Sequence, residues 1–494
     1  MADDDGKSQT SKVQEKEDIS APPDVLTDAT PEETRRVLWK IDLIILPLLA
    51  SCYMFQFLDK MALNYATLLG LLEDTKLVGS QYSWTSSIFY FGYFVASYLS
   101  AYLCVRLPIG KYLSATVVIW AATLMCHAAC QNFDHLMAVR FFLGAMEAGV
   151  APGFSLLTGI WYRREEQPLR HGLWFGGNCV ANIIGAVASW GIGQIDGSLS
   201  PWRYMFLIFG AGTAVCGIAM LVFLPDHPTT AFWLNQRERR VAMHRVMDNM
   251  TGVKSNKFKM YQVKEALKDP KTWLMTLYIF SVNLANGGLT SFGSLVIEGF
   301  GYEGIQALLI QMPSGGAQVG FVLISSLICT YVPNSRIITM LCLTGISVAG
   351  ISMMFALGDD QKEGKMAGYC LVMSFVANMP LGLSLIASNT GGFTKKSVVT
   401  ALTFIAYCVG NLIGPQFFRP EEEPEYPQGI RGCLSGLCLG AFFLCCMRLY
   451  LGWENRRRDR KYGVVVLSEI SDEQKALDSD DKTDWEVTTF RYVV

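Results

Sequence analysis

Four ionisable side chains stand where their neighbours should exclude them. Asp59 and Lys60 sit side by side in the apolar segment FLDKMALNYA, and Arg140 and Glu147 share RFFLGAMEAGVAPGF. Such a group at the centre of a membrane helix costs about 2.5–3.5 kcal/mol even on lenient insertion scales, so by default it faces a partner or a watery cavity. Arg140 and Glu147 are seven residues apart, two helical turns, and therefore lie on one face. The four formal charges cancel. One reading makes them buried ion pairs that fix helix register. The other makes Asp59 and Glu147 proton acceptors and Lys60 and Arg140 the holders of an anion. A carboxyl whose cationic neighbour can be exchanged for substrate binds or releases its proton as the site fills. The cation left behind by a protonated partner is then free to take a substrate carboxylate.

The segments that carry these residues must be membrane helices. The chain of 494 residues is 51% hydrophobic and only 17% charged, against about 25% charged in soluble domains. Its charge gathers in the first 40 residues, over 225–271 and after Arg448. A bilayer core of about 30 Å takes roughly 20 apolar residues per helix. Windows of that length place spans near 41–66, 82–104, 112–131, 135–160, 172–193, 202–224, 272–297, 305–330, 336–357, 366–387, 398–418 and 430–452. The expected fold is all-α and integral to the membrane, with twelve transmembrane helices in two six-helix bundles. A disordered N-tail (1–40) leads to the first bundle (41–224), a long central connection (225–271), the second bundle (272–453) and a C-tail (454–494) expected to be disordered. The six-and-six division suggests a repeat, although no residue-level similarity joins the halves.

An even number of spans puts both termini on one side. Of the 41 Lys and Arg, 33 fall on that side, which predicts that both termini are cytosolic. The sequon Asn249-Met250-Thr251 then lies where glycosylation does not reach it. A net charge of -2 argues against nucleic acid as a partner. The fourteen cysteines lie mostly in apolar stretches and read as small packing residues. No Cys and His cluster has zinc spacing, and no nucleophile elbow or phosphate-binding loop is present, so neither a metal, a cofactor nor an enzyme is expected.

Amides within the spans are softer signals. Asn178 and Asn182 (span 5), Asn283 and Asn286 (span 7), Gln311 and Gln318 (span 8), Asn378 (span 10) and Asn411 (span 11) can bind a ligand or simply a neighbouring helix. Asn178, Asn283 and Asn286 are taken as candidate substrate contacts. His127 reads as an interfacial histidine or a proton relay. Pro152-Gly153 and Pro313-Ser314-Gly315-Gly316 interrupt spans 4 and 8, giving bends that serve gating or only shape.

From Leu38 onward the chain resembles the fungal anion:cation symporter family of the major facilitator superfamily, and most closely its allantoate permease-like subfamily. The resemblance is carried by FLDKMALNYA, RFFLGAMEAGVAPGF followed by WYRREE, LPDHPTTAFWLNQRERR, DPKTW, LIQMPSGGAQ, SNTGGFTKKS, FIAYCVGNLIGPQFF and the ending DKTDWEVTTFRYVV. It implies a monomeric plasma-membrane transporter whose central cavity opens alternately to either side. It also implies secondary active, proton-coupled uptake of a small organic anion: a carboxylate such as allantoate or another ureide, a vitamin-like acid or an aromatic acid. Protons serve as coupling ion. The family's coupling and anion-binding roles fall on Asp59, Lys60, Arg140 and Glu147, and Asn389 lies where relatives approach substrate from the second half. Lys60 stands where many relatives have Arg; lacking the bidentate fork, it predicts a smaller substrate or one held at fewer points. VRLPIGKY keeps only Arg106, Gly110 and Lys111 of the superfamily's signature between spans 2 and 3. Two other functions fit the same residues: an efflux transporter for a fungal metabolite, or a nutrient receptor that does not transport.

Overall fold

Thr30 opens the first helix. Its hydroxyl accepts the Glu33 N–H at 3.2 Å, Pro31 takes the first turn, and Glu32 and Glu33 lie at the positive end of the helix dipole. The helix, α1 (Pro31–Thr67), therefore starts ahead of the predicted boundary and absorbs the end of the expected N-tail. The computed structural model describes residues 30–163, 166–251, 259–302, 305–332, 334–358, 360–464 and 482–494. The expected disorder of residues 1–29 lies outside them.

The first bundle continues with α2 (Gln81–Arg106), α3 (Ile109–Cys126), α4 (Phe133–Glu147), α5 (Val150–Trp161), α6 (Gln167–Phe175), α7 (Gly177–Ile192) and α8 (Pro201–Phe223). Two helices, α9 (Gln236–Thr251) and α10 (Met260–Lys268), occupy the central connection. The second bundle is α11 (Pro270–Gly299), α12 (Ile305–Ile310), α13 (Met312–Tyr331), α14 (Arg336–Ala356), α15 (Lys362–Val372), α16 (Asn378–Asn389), α17 (Phe393–Ile413) and α18 (Pro427–Tyr462). Spans 4, 5, 8 and 10 are each made of two helical pieces. In span 4 the break falls at Ala148 and Gly149, four residues before Pro152, whose missing N–H leaves the Ala148 carbonyl without its helical partner.

The repeat absent from the residues is present in the packing. Span 1 packs on spans 5 and 6, span 3 on 6, and span 2 on 4; likewise span 7 packs on 11 and 12, span 9 on 12, and span 8 on 10. Among the described residues, eleven helical stretches are long and apolar enough to cross a membrane. The twelfth is α11, 30 residues long, in which Ser281, Asn283, Ser291 and Ser294 dilute the hydropathy. These polar groups are buried against other helices rather than lipid, so α11 never needs the apolar surface of a peripheral span. All fourteen cysteines are free; against the expectation of buried packing residues, Cys126, Cys342, Cys438 and Cys445 lie exposed on the outer faces of their helices.

The central connection ties each bundle to its own helix. Arg245 of α9 pairs with Glu166 at 2.7 Å, and Glu238 with Lys40 at 2.5 Å. Gln262 of α10 accepts the N–H groups of Thr394 and Lys395 at 3.0 and 3.2 Å, capping α17. Gly392, at φ +81°, lets the chain turn there, and a Cβ would also come within 2.9 Å of the Gln262 amide. Between spans 2 and 3, Asp226 accepts the N–H groups of Gly110 and Lys111 at 2.8 and 3.2 Å. The carboxylate that this loop lacks is thus supplied from the end of span 6, at the positive end of α3.

The disordered C-tail is an expectation that fails at both ends. Helix α18 runs on to Tyr462, and residues 482–494 pack against the second bundle. Asp484 is fully buried between Lys271 and Lys395, the latter at 2.9 Å. Arg458 donates to the carbonyl of Val487 and the hydroxyl of Tyr492, whose own hydroxyl donates to Asp484 at 2.7 Å. Burial opposes the charge on Asp484, but the two lysines outweigh it and hold the carboxyl down at about 2. A depressed carboxyl stabilises the fold above its unfolded value of about 3.9, and that contribution is lost only as pH falls through about 2. Docking of the tail is therefore expected to be indifferent to pH across the physiological range. Asp484→Asn, in contrast, should release it, by about 2 kcal/mol. Limited proteolysis of purified protein checks both, and an unaltered cleavage rate in Asp484→Asn would rule this anchor out.

Candidate functional site

The site rests on a close backbone contact between α2 and α4. A Cβ on Gly144 would lie 2.0 Å from the Phe89 carbonyl oxygen, and one on Gly92 would lie 2.1 Å from that of Phe141. Only glycine permits this approach from both sides. It brings Phe89 and Tyr93 of α2 beside the face of α4 that carries Arg140 and Glu147.

The structure brings together the charges singled out by their cost. Adjacent residues of α1 point different ways. Asp59, fully buried, turns into the bundle, where Thr213 of α8 donates to one carboxylate oxygen at 3.2 Å and the other oxygen has no hydrogen-bond partner among the described residues. Lys60 instead reaches Glu147 of α4 at 3.5 Å, an ion pair too long to be a strong hydrogen bond. Its ammonium also lies 5.5 Å from the ring centres of both Phe89 and Tyr93. Glu147 is 0% exposed while Lys60 retains 14% of its side-chain surface. Arg140, 2% exposed, leaves Nε and Nη2 without hydrogen-bond partners among the described residues. It sits about 10 Å from Glu147 along the helix axis, given a rise of 1.5 Å per residue. Glu147 is the last residue of α4, immediately before the break in span 4.

The candidate amides behave otherwise. Asn286 donates to Asn411 at 2.7 Å, Asn411 to Asn283 at 2.9 Å, and Asn283 to the Ile279 carbonyl at 2.7 Å. That ladder joins spans 7 and 11 and uses much of the capacity assigned above to substrate. Asn389 is removed from the charges altogether: its amide accepts the Val493 N–H at 2.7 Å and donates to the Val493 carbonyl at 2.8 Å, clamping the C-terminal segment. Asn178 is half-buried and makes no hydrogen bond among the described residues. His127 stacks on Phe206 at 4.6 Å, with Nδ1 held by the carbonyls of Leu124 and Thr123.

A seam closes over this site at the end away from the termini. Ser294 N–H donates to Asn64 at 2.8 Å, Ser87 donates to the Leu412 carbonyl at 2.7 Å, and Asn182 donates to Gln318 at 2.5 Å. Deeper in, Tyr90 meets Tyr407 and Tyr93 meets Phe404, with ring centres 6.2 and 5.4 Å apart. The serines, Asn64 and the three tyrosines escaped the sequence reading because their partners lie more than 200 residues away.

Residues 49–415 match the Major Facilitator Superfamily. The chain is 37% identical over 466 residues to an uncharacterized transporter of Schizosaccharomyces pombe, covering 94% of this chain and 88% of that one. It is 31% identical over 479 residues to the allantoate permease of Saccharomyces cerevisiae, again covering 94% and 88%. Its fold is similar to that of the xylose transporter of E. coli in the inward-open conformation, with a TM-score of 0.64 at 12% identity over 83% of this chain and 96% of the other. The match over residues 49–415 and the likeness to these relatives over 94% of the chain place the protein in the major facilitator superfamily, as a multi-pass secondary transporter among the fungal relatives of allantoate permease.

Proposed function

We propose that this transporter is a proton symporter that carries a small organic anion, a carboxylate such as a ureide, inward across the plasma membrane, with both termini cytosolic. The observation that carries the reading is the loose Lys60–Glu147 pair, at 3.5 Å, buried beside the inter-bundle seam. With Glu147 ionised the pair is neutral. A proton on Glu147 frees the Lys60 ammonium, and a substrate carboxylate on that ammonium restores neutrality. Empty and fully loaded sites are thus uncharged, whereas a proton alone or an anion alone leaves a net charge at membrane depth, a cost of several kcal/mol. Coupling follows from that penalty. Arg140 supplies a second cation toward the closed end, and Asp59, with one free oxygen, a second proton acceptor. Exchange between inward- and outward-facing states breaks the seam by rocking one bundle against the other.

The test is uptake of labelled allantoate, ureidosuccinate and nicotinate into transporter-null cells at acidic and neutral external pH, with and without a protonophore. Wild type should accumulate one of them in an acid-stimulated, protonophore-sensitive way. In Glu147→Gln the acid-to-neutral ratio should fall to about one while substrate exchange persists, because the amide mimics the protonated acid without releasing a proton. Proton-driven uptake that survives this substitution would remove Glu147 from the coupling mechanism. Surface-localised protein that accumulates none of the panel would argue for export or sensing.

A further inference from the structure

The outward face of α18 changes chemistry as it leaves the membrane. Phe442, Leu449 and Trp453 follow one another at helical spacing and are 60%, 73% and 56% exposed, a stripe suited to acyl chains with a tryptophan at the interface. The stripe continues without a gap into Arg456 and Arg460. These two, with Arg448, Arg457 and Lys461, line a groove of about 1140 Å³ that also borders Asn334, from the connection between spans 8 and 9. The nearby acidic side chains are committed elsewhere: Glu454 pairs with Arg457 and Arg458 at 2.8 and 3.2 Å, and Asp459 with Arg491 at 2.7 Å, while the C-terminal residue Val494 also lines the groove without an ion pair to these arginines among the described residues. Arg448, Arg456 and Arg460 have no acidic partner among the described residues.

We propose that this groove binds the headgroup of a phosphorylated inositol lipid, with the acyl chains lying along Phe442 and Leu449. Guanidinium forks match phosphate oxygens two at a time, and the unpaired arginines provide several. Basic clusters next to a transmembrane helix attract multiply anionic headgroups, and the adjoining apolar stripe favours a lipid over a soluble anion. The site lies at the end of the molecule that bears the termini and is independent of the substrate and of proton coupling.

Native mass spectrometry of the purified full-length protein in detergent provides the test, with phosphatidylinositol 4-phosphate, phosphatidylcholine and inorganic phosphate as probes. The inositol lipid should bind at least about tenfold more tightly than phosphatidylcholine, and the triple substitution Arg448→Gln, Arg456→Gln, Arg460→Gln should erase that difference. The corresponding triple change to Lys, which keeps the charge but loses the forks, should retain only part of it and reports on the site even where the Gln form folds poorly. Preference for the inositol lipid that survives the Gln substitutions in folded protein would overturn the proposal. So would displacement of the lipid by an equal concentration of inorganic phosphate, which would assign the groove to a soluble anion.

Discussion

Arg140→Ala should weaken substrate binding by roughly 30-fold to several-thousand-fold, the range that follows when loss of one partner from a buried charged contact costs about 2–5 kcal/mol. Arg140 is 2% exposed, and its Nε and Nη2 have no hydrogen-bond partner among the described residues. A guanidinium in that condition weakens the empty protein, and an anion that satisfies those donors recovers the loss. A second measurement separates this from a structural role. If Arg140 served register, its removal would lower thermal stability. If it is held for a ligand, Arg140→Leu should leave the ligand-free protein as stable or stabilise it by about 1–4 kcal/mol, as happens when buried charges give way to apolar side chains. Competition of unlabelled carboxylates against labelled substrate gives the first quantity and thermal unfolding of purified protein the second. Unchanged affinity together with a lower melting temperature would return Arg140 to the scaffold.

Gly144→Val is the other substitution expected to act strongly, and through folding. The new Cβ would start 2.0 Å from a backbone oxygen and 2.8 Å from the Phe89 carbonyl carbon, neither of which can rotate away. Helices α2 and α4 would have to part, carrying Phe89 and Tyr93 off the Lys60 ammonium. Overpacking alone costs about 1–3 kcal/mol, and the matching contact at Gly92 is strained by the same movement. Near-complete loss of monodisperse protein on size exclusion is the expected result. Gly149→Ala makes the control, since a Cβ there meets its nearest neighbour at 3.4 Å. Equal recovery of the two variants would show that the bundle absorbs the separation.

Much of this arrangement is legible in the residues because membrane burial makes charge expensive and apolar length conspicuous. Asp59, Lys60, Arg140 and Glu147 announce themselves by that cost, but which of them pair does not: the structure sets Lys60 against Glu147, a partner that the sequence left open. Amides are cheaper and their choice between ligand and helix is made by distant residues, so Asn283 and Asn286 could not reveal Asn411 as their partner. The partner of Asn389 was hidden for the same reason: the Val493 backbone it holds is 104 residues away. The docked tail did carry a signal. Trp485, Val487, Phe490 and Tyr492 give an otherwise polar ending an apolar content that solvated chain does not need.

The four mid-membrane charges all belong to the first bundle, while the second offers the Gln318 amide, the Ser294 N–H and the Leu412 carbonyl to the seam. On the proposed coupling through Asp59, Lys60, Arg140 and Glu147, that division would let the two halves drift at different rates: an amide in spans 7, 8 or 11 could be exchanged at little cost, whereas a change among the charges would have to be compensated at once.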